Sequence, residues 1–102
     1  MEEEQKNAEQ PVTFRWVKTK DNIPEIYSNY LQVSWTLFDV RIVLGQLVPS
    51  NPVSREFVVD ERGTVTMAWP EVKVLREVLT NLVAKYEQTN GEIKPLKLPP
   101  AT

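Results

Sequence analysis

Apolar and polar residues alternate over several stretches of the chain, which is the pattern of half-buried β-strands. Residues 12–17 have an apolar side chain at every second position (Val12, Phe14 and Trp16), which predicts a short edge strand. Residues 25–36 are rich in aromatic and β-branched residues and alternate in the same way. One face of this second strand would carry Leu31, Val33 and Trp35, and the other Ile26, Ser28, Tyr30, Gln32 and Ser34.

The most apolar strand candidate spans residues 40–48, and both of its faces are apolar. The prolines and polar residues at 49–52 then predict a turn. Residues 55–60 and 64–69 are two short alternating runs, and the polar segment between them predicts a hairpin in which Gly63 supplies a positive φ. The apolar positions of strand 40–48 are Val40, Ile42, Leu44 and Val48 on one face, and Val43 and Leu47 on the other.

The spacing changes after Pro70, which suits the first helical position because its missing N–H is not needed there. Apolar residues then recur every three or four positions up to Gly91, a typical C-terminal helix stop, and predict an amphipathic helix of about five turns. They are Val72, Leu75, Leu79, Leu82 and Tyr86, widened by Val78 and Val83. We therefore predict an α+β fold: an antiparallel four- to five-stranded sheet followed by one long C-terminal amphipathic helix packed on one face.

The two ends differ in composition from the middle of the chain. Residues 1–11 carry four glutamates against one lysine, and we expect a disordered acidic N-terminal arm. Residues 12–92 then form a single α+β domain, and residues 93–102 an extended tail that contains proline and lysine. The tail is either a frayed terminus or a strap on a partner, with Leu96 and Leu98 as anchors.

Composition excludes most catalytic chemistry. The 102 residues include no His and no Cys, which removes Ser-His-Asp triads, Cys-His pairs, disulfides and the usual zinc ligand sets. With only three glycines, neither a P-loop nor a dinucleotide-binding fingerprint can be built. The acidic residues near the predicted hairpin, Glu56, Asp60 and Glu61, fit turn chemistry better than a metal site. We therefore expect no enzyme, no catalytic, cofactor or metal site, and no cofactor.

A single helix can cover only one face of the sheet, so the second face becomes the candidate interface. Contiguous apolar surface of this kind is rarely left in water by a monomer. We therefore predict a homo-oligomer, a dimer or higher, unless residues 12–17 or the C-terminal tail fold back over this face. The residues assigned to the interface are Ile26, Tyr30, Arg41, Val43, Leu47 and Val58.

Charge and hydropathy bear on partners and location. The formal charge is −2, and the chain lacks the broad positive field that nucleic acid attracts. Base stacking on Tyr30 and Trp35, with Arg15, Arg41 and Arg55 nearby, is a disfavoured alternative. No run approaches the roughly 18 apolar residues of a membrane span, and the first residues do not form a secretory signal. We expect a cytoplasmic protein that does not bind membranes.

Several short motifs resemble the prokaryotic family known as domain of unknown function 3467, over residues 23–94. These are Ile26–Ser34, Phe38–Arg41, Leu44–Gln46, Val65–Pro70, Leu79, Tyr86-Glu87 and Gly91–Ile93. The family tends to have a hydroxyl residue before the proline, where this chain has Trp69. The resemblance implies a small bacterial cytoplasmic protein with no assigned catalytic residue.

The order of strands followed by a helix is also similar to that of SecB-like export chaperones, by architecture alone. Together, these observations predict a non-enzymatic, self-associating protein-interaction module that binds copies of itself and another protein. The alternatives are holdase-type binding of other polypeptides and single-stranded nucleic-acid binding on an aromatic sheet face.

Overall fold

The computed structural model of the chain describes residues 10–49 and 57–95. They form three strands and one helix, in the order β1 (Tyr30–Trp35), β2 (Asp39–Pro49), β3 (Phe57–Ala68) and α1 (Trp69–Asn90). The sheet is antiparallel with the spatial order β1-β2-β3. The α+β class is confirmed, whereas the sheet of the described residues has three strands instead of four or five.

The predicted strand at residues 12–17 accounts for part of this difference. These residues are not paired in the sheet, and Phe14 and Trp16 expose 86% and 97% of their surface. An alternating pattern makes a segment able to join a sheet, but a strand exists only when a neighbour pairs with it. Within the described part of the chain, no neighbour does so.

The predicted hairpin at residues 60–63 is wrong, because these residues lie inside the single long strand β3. Gly63 has no positive φ, and the extra residue of β3 is absorbed by a register shift opposite Leu44 and Gly45. A glycine inside a strand often marks a bulge, and a glycine between strands often marks a turn, so Gly63 did not separate the two. The true reversal between β2 and β3 includes residues 50–56, which lie outside the described residues.

The register divides the sheet into two faces, because directly opposed residues point to the same side. We call the first the aliphatic face; its members are Leu31, Val33 and Trp35 of β1, Val40, Ile42 and Leu44 of β2, and Val65 and Met67 of β3. The second, the mixed face, carries Tyr30, Gln32 and Ser34 of β1, Arg41, Val43 and Leu47 of β2, and Val59, Thr64 and Thr66 of β3. Both faces of β2 are therefore apolar, as the sequence predicts.

Two side-chain networks fix the ends of β1. At its start, Asn29 Oδ1 accepts a hydrogen bond from the Leu47 N–H at 2.8 Å, and the Ser28 hydroxyl donates to the Gly45 carbonyl at 3.0 Å. At its end, the Thr36 hydroxyl donates to Asp39 Oδ1 at 2.8 Å and accepts the Asp39 N–H at 3.2 Å. These bonds replace strand pairing where β1 stops, so residues 26–29 do not extend the strand.

The helix boundaries agree with the sequence prediction, with Pro70 in the first turn and Gly91 (φ 88°) as the C-cap. Its predicted packing across one face of the sheet is corrected. Val72 and Leu75 are partly buried, but the apolar side chains from Val78 onward expose 42 to 58% of their surface. The helix starts at the residue after β3 ends, so no connecting loop lets the chain turn back over the sheet.

The core is accordingly small. Among the described residues, Val40 is the one hydrophobic residue that is fully buried, with 4% of its surface exposed. It lies between Trp35 of β1 and Met67 of β3 in the register, on the aliphatic face. Ile42, Leu44 and Met67 on that face are partly buried, whereas its other members and most of the helix remain exposed.

Candidate protein-interaction surface

The aliphatic face is the larger of the apolar sheet surfaces. Leu31, Val33 and Trp35 expose at least half of their surface, and Val65 exposes slightly more than a third. β1 contains no charged residue, so the β1 side of this face is uncharged. An apolar surface this continuous on a sheet is typical of one that is covered by another chain.

The six predicted interface residues do not all lie on one face. Tyr30, Arg41, Val43 and Leu47 share the mixed face, as the sequence predicts. Val58 points to the opposite side, because it pairs with Val48, one residue beyond Leu47. Ile26 also lies on the aliphatic side: its Cδ1 is 3.0 Å from the position that a Cβ at Gly63 would take. The proposed set is therefore divided between two surfaces.

The mixed face contains a shallow depression of about 200 Å³ rather than an enclosed cavity. The floor of this depression is formed by Gly45, which lies very close to β3. A Cβ at Gly45 would overlap the Val59 side chain and lie 3.1 Å from the Asp60 carbonyl oxygen. No charged or polar residue is buried in the described part of the chain. It is lined by Tyr30, Gln32, Val43, Leu44, Gly45, Val59 and Glu61.

Three charged side chains of the sheet, Asp39, Asp60 and Arg62, have polar partners. Arg62 forms an exposed ion pair with Asp60 at 3.2 Å and donates a hydrogen bond to Gln46 Oε1 at 2.8 Å. Asp39 accepts a hydrogen bond from the Thr36 hydroxyl. Over residues 10–49 and 57–95, no group of three His, Cys, Asp or Glu could hold a metal ion. The other acidic candidate, Glu56, lies outside the described residues.

A second apolar surface, the hairpin tip, consists of Leu37 and Phe38 between β1 and β2. These side chains expose 81% and 79% of their surface. The backbone below them is fixed, because the Thr36 hydroxyl also accepts the Phe38 N–H at 3.1 Å. The sequence signal for this surface is two consecutive large apolar residues between the two predicted strands.

Trp69 connects the helix to this hairpin. Its indole Nε1 donates a hydrogen bond to the Thr36 carbonyl at 2.9 Å, and its ring packs edge to face on Trp35 with centroids 6.2 Å apart. The helix N-cap, Ala68, makes no side-chain cap hydrogen bond. Trp69 is the first residue of the helix rather than its cap, and these two contacts anchor the first helical turn to the sheet.

The third apolar surface is the helix stripe, whose members are Val72, Leu75, Val78, Leu79, Leu82, Val83 and Tyr86. Its spacing is close to that of a heptad repeat, which suits packing against another helix or a sheet. Among the described residues, no helix is long and apolar enough to cross a membrane. Leu96 and Leu98, the predicted anchors of the C-terminal tail, lie outside the described residues.

Comparison with known families places these surfaces in context. The model of the family described as "Protein of unknown function (DUF3467)" matches residues 1–95. The chain belongs to the DUF3467 family. No curated protein and no solved structure matches it significantly.

The motif residues of this DUF3467 protein have roles in building its sheet. Ser28 and Asn29 tie the start of β1 to β2, Asp39 closes the hairpin with Thr36, and Gly45 permits the close approach of β3. The aliphatic face, the hairpin tip and the helix stripe of this DUF3467 protein, by contrast, are largely exposed rather than packed inside the chain.

Proposed function

We propose that this protein is a non-enzymatic, self-associating protein-interaction module that forms a homo-oligomer through its aliphatic face and helix stripe. The observation that supports this proposal is the single buried hydrophobic residue, Val40, of the described part of the chain. Ordering the backbone of one residue costs roughly 1–2 kcal/mol, which isolated side chains exposed to water cannot offset. A partner that covers both surfaces supplies the missing burial.

The complementary shapes of the two surfaces favour a second copy of the chain as this partner. The helix stripe is an apolar ridge without a sheet beneath most of it, and the aliphatic face is an apolar sheet without a helix above most of it. Each surface of one copy fits the other surface of its neighbour, as helices and sheets pack within ordinary α+β domains. Reciprocal packing would remove both surfaces from water at once.

Two substitutions in β1 test the proposal with equal changes in charge. Val33→Glu places a carboxylate on the aliphatic face, whereas Gln32→Glu places the same group on the mixed face of the same strand. We expect Val33→Glu to dissociate the oligomer and Gln32→Glu to leave it intact, as measured by light scattering after size exclusion. A wild-type chain that is monomeric at tens of micromolar would contradict the proposal.

The sequence-derived interface on the mixed face remains an alternative location for the contact. Val43→Glu and Leu47→Glu would then dissociate the oligomer in the same measurement. Because both side chains are partly buried beside β3, circular dichroism is needed to show that the helix and sheet persist. Dissociation by these two variants, with Val33→Glu unaffected, would move the interface to the mixed face.

A second candidate function is holdase-type binding of other polypeptides, which the hairpin tip favours. Leu37 and Phe38 are fixed, apolar and almost fully accessible, as in surfaces that capture apolar segments. Light scattering of a heat-denatured model protein tests this function, with Leu37→Ser and Phe38→Ser together as the matched variant. Nucleic-acid stacking has less support, because Tyr30 and Trp35 lie on opposite faces of β1.

A further inference from the structure

Residues 12–17 form the most exposed apolar segment of the described chain. Val12, Phe14 and Trp16 expose 75%, 86% and 97% of their surface, whereas Thr13 and Arg15 occupy the alternate positions. The segment is not helical, and no backbone hydrogen bond between described residues ties it to the sheet. Apolar side chains at every second position need a sheet neighbour to be covered.

The outer edge of β1 offers such a neighbour. The Thr36 N–H donates a hydrogen bond to the Asp39 carbonyl, so these two residues form a hydrogen-bonded pair of the β1–β2 ladder. Hydrogen-bonded and non-hydrogen-bonded pairs alternate along an antiparallel ladder, so Ser34, Gln32 and Tyr30 of β1 also bond to β2. The backbone groups of Leu31, Val33 and Trp35 therefore point away from β2. In the described part of the chain, no strand lies beside this edge.

The opposite edge of the sheet, on β3, is less suitable. It carries Asp60, Glu61 and Arg62 in its middle, next to the register shift opposite Gly45. Charges and bulges of this kind protect edge strands against pairing with other chains. β1 has neither feature, and its six residues equal the length of the segment 12–17.

We infer that residues 12–17 of one copy add as an antiparallel strand to the outer edge of β1 in a second copy. This inference rests on the proposed self-association. Phe14 then lies opposite Val33, so that the apolar side chains of the segment extend the aliphatic face and Thr13 and Arg15 extend the mixed face. The antiparallel direction follows from the slightly greater stability of antiparallel pairs.

The area involved is adequate for a specific contact. Phe14 and Trp16 contribute about 150–250 Å² each, or roughly 400 Å² per segment, when the partner's helix stripe also covers the extended aliphatic face. Since each segment covers a similar area on its acceptor, reciprocal exchange between two copies buries roughly 1,600 Å², the size of a standard stable interface. If residues 12–17 instead paired with β1 of their own copy, this interface between the copies would not form.

Disulfide trapping tests the inference in full-length chains, and the absence of cysteine makes every crosslink attributable to the introduced residues. An Arg15→Cys chain is mixed with a Gln32→Cys chain, since these positions form a non-hydrogen-bonded pair with Cα atoms about 4.5 Å apart, within disulfide reach. A Thr66→Cys chain, with its cysteine on β3, serves as the matched acceptor. We expect a mixed covalent dimer with Gln32→Cys and not with Thr66→Cys.

Other results overturn the inference while leaving self-association measurable by light scattering on the wild type. A crosslink with Thr66→Cys in preference to Gln32→Cys would assign the segment to the other edge. An Arg15→Cys/Gln32→Cys chain that closes its disulfide within one copy would show that the segment folds back. An oligomer with no crosslink at either acceptor would mean that another surface joins the copies.

Alanine variants provide an independent measurement. Replacing both Phe14 and Trp16 by alanine should raise the dissociation constant at least about 30-fold, the effect of a single interface hot spot. Replacing Thr13 and Arg15 by alanine should change it by less than about threefold, because these positions lack large apolar contacts. Equal effects of the two pairs would contradict strand addition.

Discussion

Replacing Leu79 and Leu82 by alanine tests whether the helix stripe is an interface or a solvent-exposed surface. The two side chains expose 46% and 58% of their surface, so about half of each is still available for burial by a partner. Full burial of a leucine stabilises by about 1.5–3 kcal/mol, and the remaining half therefore corresponds to about 1 kcal/mol per leucine. Two leucines from each of two copies give about 4 kcal/mol per dimer, or about a thousandfold in the dissociation constant.

Analytical ultracentrifugation over a dilution series measures this change, and circular dichroism follows the helix. Helix propensity is preserved, because alanine is at least as good a helix former as leucine. Asn81→Ala and Lys85→Ala, on the polar side of the helix, are the matched controls. Because the oligomer is more stable at higher concentration, the wild-type Tm should rise with concentration and that of the leucine variant should rise less.

The reasoning would be refuted by an unchanged dissociation constant in the double leucine variant. A fall in Tm that does not depend on concentration would show that the leucines stabilise only their own chain. In that case the exposed helix stripe would not belong to the interface, and the aliphatic face alone would carry self-association.

Three further substitutions, two of them with a matched control variant, test the construction of the sheet. Gly45→Ala should lower the free energy of unfolding by about 1–3 kcal/mol, because the added Cβ would overlap the neighbouring strand. Gly63→Ala should lower it less, because the Cβ there would meet only the flexible end of one side chain. Urea denaturation of both variants measures the difference. Asn29→Ala should cost about 1–2 kcal/mol because it removes the acceptor of the Leu47 N–H, and Asn29→Asp should recover most of the loss. Trp69→Phe keeps an aromatic ring but loses the indole hydrogen bond, and should cost about 1 kcal/mol in thermal denaturation; no change would mean that the bond is not stabilising.

Strand prediction succeeded where the partner strand was close in sequence. β1 and β2 are joined by a hairpin, and their alternation gives the observed faces, including the two apolar faces of β2. Residues 12–17 have an equally clear alternation but no partner in the described chain. Pattern alone could not separate these cases, because pairing depends on residues that are distant along the sequence.

The sequence indicated an interaction surface on one face of the sheet, and the structure divides the residues assigned to it between two faces. The absence of catalytic residue types and the apolar character of β2 both indicated an interaction surface. Val58 changes face because the register between β2 and β3 shifts by one residue near Gly45. Ile26 lies before β1, where strand alternation does not apply. A change of one residue moves a side chain to the other face of a sheet, and no periodicity reveals where it occurs.

The sequence by itself determined the helix, from Pro70 to Gly91, because helical hydrogen bonds join residues four apart and the start and stop signals are local. It also determined which strand positions are apolar. The tertiary structure alone decided that the helix follows β3 without a loop and therefore does not cover the sheet. This direct connection leaves the aliphatic face and the helix stripe of this DUF3467 protein exposed to a partner.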